Sequence, residues 1–157
     1  MSSLVHVRFD GVDGESTRKD HKGEIEITSW SWGVTNAKSG SSGSSASKAQ
    51  PGDLVFTHQY DKASPVLAKR CASGTHIPTA TLSQRRRGDK QKDYLVITLH
   101  DVLISSCNAS WTEDGDVVEQ VSVTYGEIGI SYSPQDDKGG LGAPVTFGWN
   151  IKTAKIT

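Results

Sequence analysis

The stretch ITSWSWGV, residues 27–34, decides the fold because the large apolar side chains change parity within it. Ile25 and Ile27 share one parity, whereas Trp30 and Trp32 share the opposite one. Successive side chains of a strand point to opposite faces, so one regular strand cannot bury both pairs on the same face. Either a β-bulge lies between the pairs, or the strand turns a corner and changes the face that is covered. Both arrangements are common where sheets close into barrels.

The rest of the chain also reads mostly as strands, with apolar and polar residues in alternation. Further strands are expected at 5–9, 53–60, 78–87, 92–111, 117–133 and 145–156. One helix is expected at about 64–73, with Ser64 as the N-cap, Pro65 at the first helical position and Gly74 at the C-terminal cap. Many short strands with a single short helix predict an all-β fold: two packed sheets that form a β-barrel-like domain with one flanking α-helix.

The bulk composition fits one globular domain that spans residues 1–157. The chain is 34% hydrophobic and carries a formal net charge of −1. No basic excess indicates a nucleic-acid partner, and no apolar run reaches the roughly 20 residues that a bilayer-spanning helix needs, so no membrane insertion is expected. The first residues lack a basic segment followed by an apolar one, which predicts synthesis in the cytoplasm without a signal peptide.

Few residues suggest catalysis. Ser31 is not in the strand–turn–helix context of a nucleophile elbow. Cys71 and His76 could form a thiol–imidazole pair, but a thiol packed inside the helix and a histidine in the following loop is the simpler interpretation. Cys71 and Cys107 are expected as buried free thiols. The histidines and cysteines show no metal-ligand spacing, so no metal and no other cofactor is expected.

Two features of the polar sequence have no obvious place in a core. Residues 36–51 are rich in Ser and Gly and predict an extended loop, and a structureless loop of about 16 residues is usually functional or disordered. Charges cluster on a basic hairpin, on an acidic turn and on an acidic loop. These charged residues are Arg85, Arg86, Arg87 and Lys90, then Glu113, Asp114 and Asp116, then Asp136 and Asp137.

Four segments together resemble the hemolysin-coregulated protein (Hcp) family, the inner-tube subunits of the bacterial type VI secretion system. They are WSWG (30–33), DKASPVLAKRCASG (61–74), YLVITLHDVLISS (94–106) and PVTFGWNIK (144–152). The resemblance extends in order from Arg8 to Lys152, and its specificity comes from the order, the separations and the chain length together. It implies two sheets with one flanking helix, a hexameric ring that stacks head-to-tail into a tube, and no enzymatic activity.

The resemblance also implies partners and a location. The partners would be further copies of the chain, the spike protein that caps the tube, the contractile sheath and small effector proteins carried in the lumen. The protein would be made in the bacterial cytoplasm and then secreted to the extracellular space or into a target cell. An exporting machine of this kind explains why no signal peptide would be needed.

The resemblance and the residue pattern together predict roles for individual residues. Ser29 and Ser31 would face the lumen and its cargo. Core or subunit packing is expected for Trp30, Trp32, Phe147 and Trp149. An arm to a neighbouring subunit or ring is expected from Ser39, Ser41, Ser42, Ser44, Ser45 and Lys48, with a disordered surface loop as the alternative. The basic and acidic clusters would stack one ring on the next if they lie at opposite ends of the barrel.

A second hypothesis comes from a different functional class. It describes a small β-barrel hydrolase in which Cys71 or Ser31 acts with a histidine. Closed rings would favour the tube subunit, whereas an activity that is lost with Cys71→Ala or Ser31→Ala would favour the hydrolase.

Overall fold

The computed structural model of this chain describes residues 4–38, 47–87 and 92–157. The strands are β1 (Val5–Phe9), β2 (Ile25–Ile27), β3 (Ser29–Ser31), β4 (Val34–Lys38), β5 (Ser47–Pro51), β6 (Leu54–Gln59), β7 (Ile77–Arg85), β8 (Asp93–Ser110), β9 (Val118–Thr124), β10 (Glu127–Tyr132), β11 (Val145–Asn150) and β12 (Lys155–Ile156). The helix α1 is Ala63–Ser73, and a short 3₁₀ turn covers Lys19–His21. Residues with expected roles that lie outside the described part are Ser39, Ser41, Ser42, Ser44, Ser45 and Lys90.

Two antiparallel sheets share the long strand β8. One sheet has the order β12-β11-β10-β8-β7-β1-β2, and the other has the order β3-β6-β9-β8. Residues 93–102 of β8 pair with β7, and residues 103–110 pair with β9. The two sheets and the one helix confirm the expected all-β architecture. The strand ladder is not closed, because β2 pairs with β1 while the next strand, β3, pairs with β6.

The stretch ITSWSWGV, residues 27–34, turns a corner from one sheet into the other. Ile27 pairs with Val5 of β1, whereas Ser29 pairs with Thr57 of β6. Between them, Thr28 donates its backbone N–H to the carbonyl oxygen of Thr57 at 2.8 Å. The change in apolar parity therefore marks a change of sheet, and the corner is the correct one of the two expected arrangements.

The core fills the space between the sheets. The phenyl rings of Phe9 on β1 and Phe56 on β6 meet there, with 6.0 Å between their centroids. Both side chains are buried, and aliphatic residues from every neighbouring strand surround them. These fully buried aliphatic residues include Ile25, Ile27, Leu82, Ile97, Leu99, Ile104, Val121, Val123 and Ile128. Burial of such side chains is the main stabilising term for the fold, at roughly 1.5–3 kcal/mol for each one that leaves water.

The helix α1 ends as expected but begins earlier, at Ala63, so Pro65 is its third residue and not the first. Gly74 takes the left-handed conformation at φ 66° and caps the C-terminus, which confirms its predicted role. Ser64 is not the N-cap; it is buried in the first turn, and its hydroxyl accepts the N–H of Asp61 at 3.1 Å. The carboxylate of Asp61 instead accepts the N–H of Ala63 at 2.9 Å and satisfies the start of the helix.

The described ends of the predicted 36–51 loop, residues 36–38 and 47–51, lie in strands. The strands β4 and β5 form a separate two-stranded antiparallel sheet, whose described pairs run from Val34 with Pro51 to Lys38 with Ser47. At its base the N–H of Gly52 donates to the carbonyl oxygen of Gly33 at 2.9 Å. Backbone pairing satisfies the peptide groups of these two strands whatever their side chains are.

Two further expectations about strand ends were wrong. The last strand does not continue to 156: β11 ends at Asn150, a turn follows, and β12 pairs back on β11. Arg85 was expected in a solvated basic cluster, yet it is 2% exposed, and its Nε lies 3.9 Å from Oδ1 of Asp93. The β7–β8 register shifts between Gln84 and Arg85. This irregularity takes the side chain out of the regular alternation and lets it be buried beside the carboxylate.

Candidate functional site

The outward face of the four-stranded sheet presents mostly uncharged polar side chains, with Val55 and Val118 among them. The register aligns Ser29 of β3 with Thr57 of β6, which in turn aligns with Gln120 of β9. One step along, Ser31 aligns with Val55, which aligns with Ser122. The same face continues onto β8 through Ser106, Asn108 and Ser110, and its remaining members are Gln59, Val118 and Thr124.

Hydroxyl groups at the start of this face bond to one another. The side chains of Thr28 and Thr57 lie 3.0 Å apart, oxygen to oxygen, and the hydroxyl of Ser29 also contacts that of Thr57. Ser29 and Ser31 are both exposed. None of the aligned positions of this face carries a charged side chain. Hydroxyl and amide groups can both donate and accept hydrogen bonds, so the surface can contact many polypeptides without selecting one charge.

The alternate residues of β3 point the other way, into the body. Trp30 is half-buried, packs against the core, and donates its indole N–H to Oε1 of Gln84 at 2.8 Å. Trp32 is also half-buried and donates to the hydroxyl of Tyr125 at 2.6 Å. Burial raises the pKa of that phenol, and its own hydrogen goes to the carbonyl oxygen of Gly52 at 2.7 Å. Each tryptophan therefore combines apolar packing with one satisfied polar atom.

The other two aromatic residues with an expected packing role extend this cluster onto β11. Phe147 is half-buried and lies 6.3 Å from Trp32, centroid to centroid. Trp149 is 7% exposed, and its ring centroid lies 6.4 Å from that of Phe147. The aromatic row thus bridges from the four-stranded sheet to the far strands of the other sheet.

A buried ionisable pair lies beneath the uncharged face. Nε2 of His58 lies 2.7 Å from Oε1 of Glu119, and the two side chains are 0% and 3% exposed. Nδ1 of His58 lies 3.8 Å from Asp61, whose pKa is raised by burial. The sequence analysis did not single out this pair. The only signal was that His58 shares its strand parity with the buried Leu54 and Phe56.

The structure does not assemble the catalytic pairs that a hydrolase would need. Ser31 lies on the outward face, whereas His58, on the adjacent strand, is buried on the inward one. His76 is placed against Asp101, with 2.7 Å between Nδ1 and Oδ1. Cys71 is half-buried and lies near Cys107, whose pKa it helps to raise. In the part of the chain that the structure describes, no hydrogen bond or ion pair joins a histidine to Ser31 or Cys71.

The charged residues with expected stacking roles differ in how exposed they are and in what they contact. Arg86 is half-buried and stacks over the ring of Tyr94, with 4.1 Å from the guanidinium carbon to the ring centroid. Asp136 stabilises its own loop by accepting the N–H groups of Lys138 and Gly140. The exposed members are Arg87, Glu113, Asp114, Asp116, Asp136 and Asp137, and Lys48 on β5 is exposed as well.

The described ranges contain neither a metal site nor a membrane-spanning helix. Residues 4–38, 47–87 and 92–157 contain no group of three or more His, Cys, Asp or Glu side chains placed to hold a metal ion. Among the same residues, no helix has the length and apolar character that crossing a membrane requires.

Comparison with known proteins gives consistent results. Residues 6–132 match the family model for the type VI secretion system effector Hcp. The chain is 39% identical over 157 residues to Protein hcp1 of Pseudomonas aeruginosa, with 97% of each chain covered. Among solved structures, Hcp1 from Salmonella typhimurium superposes with a TM-score of 0.85 at 33% identity, covering all of both chains. Another structure, of a type six secretion system protein, gives a TM-score of 0.89 at 30% identity and covers 98% of each chain.

Proposed function

The chain belongs to the Hcp family of type VI secretion proteins, and from this premise we propose that it forms hexameric rings that stack head-to-tail and carry small effector proteins in their lumen. The family is one of secreted tube proteins and not of enzymes. In the proposed assembly, the face that includes Ser29, Ser31, Thr57, Gln120 and Ser122 lines the lumen. We call this surface the lumen face.

The observation that carries the proposal is the absence of charge across the aligned positions of the lumen face. A channel wall that must hold different cargo proteins and then release them gains from weak, unselective contacts. Hydroxyl and amide groups supply such contacts through water-bridged hydrogen bonds. A charged wall would instead select cargo of the opposite sign and retain it.

Ring closure requires two different surfaces on each subunit, and the structure offers two exposed apolar groups. A head-to-tail contact joins unlike patches, and it makes a closed ring when its rotation closes. One group lies where β6 and β8 end and β9 begins, and it consists of Tyr60, Trp111 and Val117. The other lies around β10–β12 and consists of Tyr132, Leu141, Val145 and Ile156. We propose that these two groups contribute to the contact between neighbouring subunits.

The β4–β5 hairpin fits the role of an arm that reaches the next subunit or ring. An isolated two-stranded hairpin is at best marginally stable in water. The described part of this hairpin pairs with no other strand, and Val34 at its base is 47% exposed. A neighbouring subunit that covers it would supply the missing packing. The spike protein and the contractile sheath are the proposed partners at the tube tip and around the tube wall.

Assembly and cargo carriage can be tested together. Purified protein should show closed rings by negative-stain microscopy and a native mass near six times the 16.9-kDa chain mass. Ser31→Asp would place a ring of carboxylates on the lumen face, so we expect normal rings with altered binding and export of cargo. Thr17→Asp, at an exposed position outside the lumen face, is the matched control and should carry cargo as the parent does.

The possible outcomes separate the parts of the proposal. A monodisperse monomer at high concentration would contradict the ring. Intact rings whose cargo binding is equally insensitive to Ser31→Asp and Thr17→Asp would contradict the lumen assignment and leave the ring standing. Salt screens exposed charges, so stacking of rings through them should weaken as the salt concentration rises. Each exposed pair contributes only about 0–1 kcal/mol.

A further inference from the structure

The two cysteines of the chain come close together in the folded protein. Cys71 lies near the C-terminal end of α1, and Cys107 lies in the second half of β8, far away in sequence. Both side chains are half-buried and pack against the same core cluster, and Cys71 lies near enough to help raise the pKa of Cys107. Their proximity is therefore a product of the packing of α1 against β8.

We propose that Cys71 and Cys107 form a modification site that closes into a single intramolecular disulfide when the protein meets a small-molecule disulfide such as oxidised glutathione. A chain that leaves a reducing cytoplasm for oxidising surroundings would undergo this change. The proposal does not depend on whether the chain forms rings. It adds a covalent link between the helix and the sheet that carries the lumen face.

The backbone on both sides of the thiol pair is held in place. The carbonyl oxygen of Cys71 accepts the N–H of Gly74 at 3.3 Å, within the cap that ends the helix. Cys107 is paired with Val121 in the β8–β9 ladder. A disulfide forms without strain only when its two Cα atoms and side-chain directions are already suitable. Two neighbouring thiols on a helix and a paired strand meet this condition better than two thiols on mobile loops.

The reaction balances in two exchange steps. The thiolate of Cys71 first attacks one sulfur of oxidised glutathione, which forms a mixed disulfide and releases one reduced glutathione. The sulfur of Cys107 then attacks the Cys71 sulfur, its proton passes to the departing glutathione thiolate, and a second reduced glutathione leaves. The protein loses two protons and two electrons, and the glutathione disulfide gains both as it becomes two reduced glutathiones.

The local electrostatics give the two thiols different tasks. Burial raises the pKa of Cys107 to about 12, with Glu119 and the neighbouring Cys71 adding to the effect. Cys107 is therefore a protonated thiol at neutral pH and a poor first nucleophile. It can still act second, because the mixed disulfide on Cys71 holds the target sulfur next to it. We expect the second step to be the slower one and to accelerate as the pH rises.

The test is to incubate the reduced full-length protein with oxidised glutathione and follow free thiols and intact mass. The expected product has no free thiol, has lost the mass of two hydrogen atoms, and runs as a single chain on a non-reducing denaturing gel. Cys107→Ser should instead stop at the mixed disulfide and retain one glutathionyl group. Oxidation should raise the melting temperature of the parent by about 5–15 °C and leave that of Cys107→Ser unchanged.

Three results would overturn the proposal. One is a parent protein that retains both thiols under conditions in which the urea-unfolded chain is modified. Another is a parent that accumulates a stable glutathionyl adduct, as Cys107→Ser is expected to do. The third is a product of disulfide-linked dimers. Ring formation is measured separately on the same samples, so failure here would leave the tube proposal untouched.

Discussion

The two faces of the four-stranded sheet differ completely although their residues alternate along the same strands. The inward face holds Trp30, Phe56 and Val121, and it also contains the buried His58–Glu119 pair. The outward face holds hydroxyl and amide groups with no charge at the aligned positions. Neighbouring residues thus serve different purposes: one set stabilises the subunit, and the other presents a surface. Substitutions one residue apart should therefore have opposite consequences.

The largest effect is expected for Phe56→Ala. Phe56 is 0% exposed and joins the two sheets through its contact with Phe9. Its removal leaves a cavity between the sheets, so the free energy of unfolding should fall by about 3–5 kcal/mol. Urea unfolding at a fixed protein concentration measures this loss. Gln59→Ala, an exposed position on the same strand, is the control and should change stability by about 0.5 kcal/mol or less.

A smaller loss is expected for Trp30→Ala, because Trp30 is only half-buried in the single chain. The expected decrease is about 2 kcal/mol, from lost apolar contact and from leaving Oε1 of Gln84 without its indole donor. Trp30→Phe retains much of the packing and should recover about half of the loss. A decrease as large as that of Phe56→Ala would show that a neighbouring subunit completes the burial of Trp30 in the ring.

On strand β1 two neighbouring residues are both buried: His6, which can carry a charge, and Val7, which cannot. Burial lowers the pKa of His6 from 6.5 to about 4, with the charges of His21, Arg85 and Arg18 adding to the effect. The unfolded chain then binds a proton more readily than the folded one. Stability is fully present above pH 6.5 and is lost as the pH falls from there towards about 4.

The free energy of unfolding should accordingly be about 2 kcal/mol lower at pH 5 than at neutral pH. Denaturant titrations across this range measure the slope. His6→Leu should flatten the slope, whereas His76→Gln, which alters a 58% exposed histidine, should leave it unchanged. A slope that survives in His6→Leu would assign the pH dependence to another group.

The sequence predicted the local features of this molecule better than its long-range ones. The parity change between Ile27 and Trp30 marks the corner between the sheets, and Gly74 marks the helix end, because both signals arise from nearest neighbours in the chain. The alternation of Trp and Ser on β3 is likewise a local pattern. The lumen face as a whole is not local, since it exists only once the register aligns Ser31, Val55 and Ser122.

Two further features could not be found from one sequence for the same reason. Arg85 looked like part of an exposed basic run, and only the register shift beside it and the position of Asp93 explain its burial. The proximity of Cys71 and Cys107 depends on how the helix packs on the sheet. Such pairs are far apart in the sequence. The pattern of residues along one strand or helix does not indicate which other element packs against it.

The smallest effect is expected on the lumen face itself, where the hydroxyls of Ser29 and Thr57 contact each other. Ser29 is exposed, so water can replace each hydrogen bond that is removed, and the net contribution of the pair should be about 0.5 kcal/mol or less. A double-mutant cycle of Ser29→Ala and Thr57→Ala, read by urea unfolding, isolates this coupling. The alanine variants should assemble as the parent does, since no core atom moves. A coupling above about 1 kcal/mol would mean that the contact is shielded from water and stabilises the corner between β2 and β3. In that case the outward face would share in holding the fold, and the separation of tasks between the two faces would fail at this position.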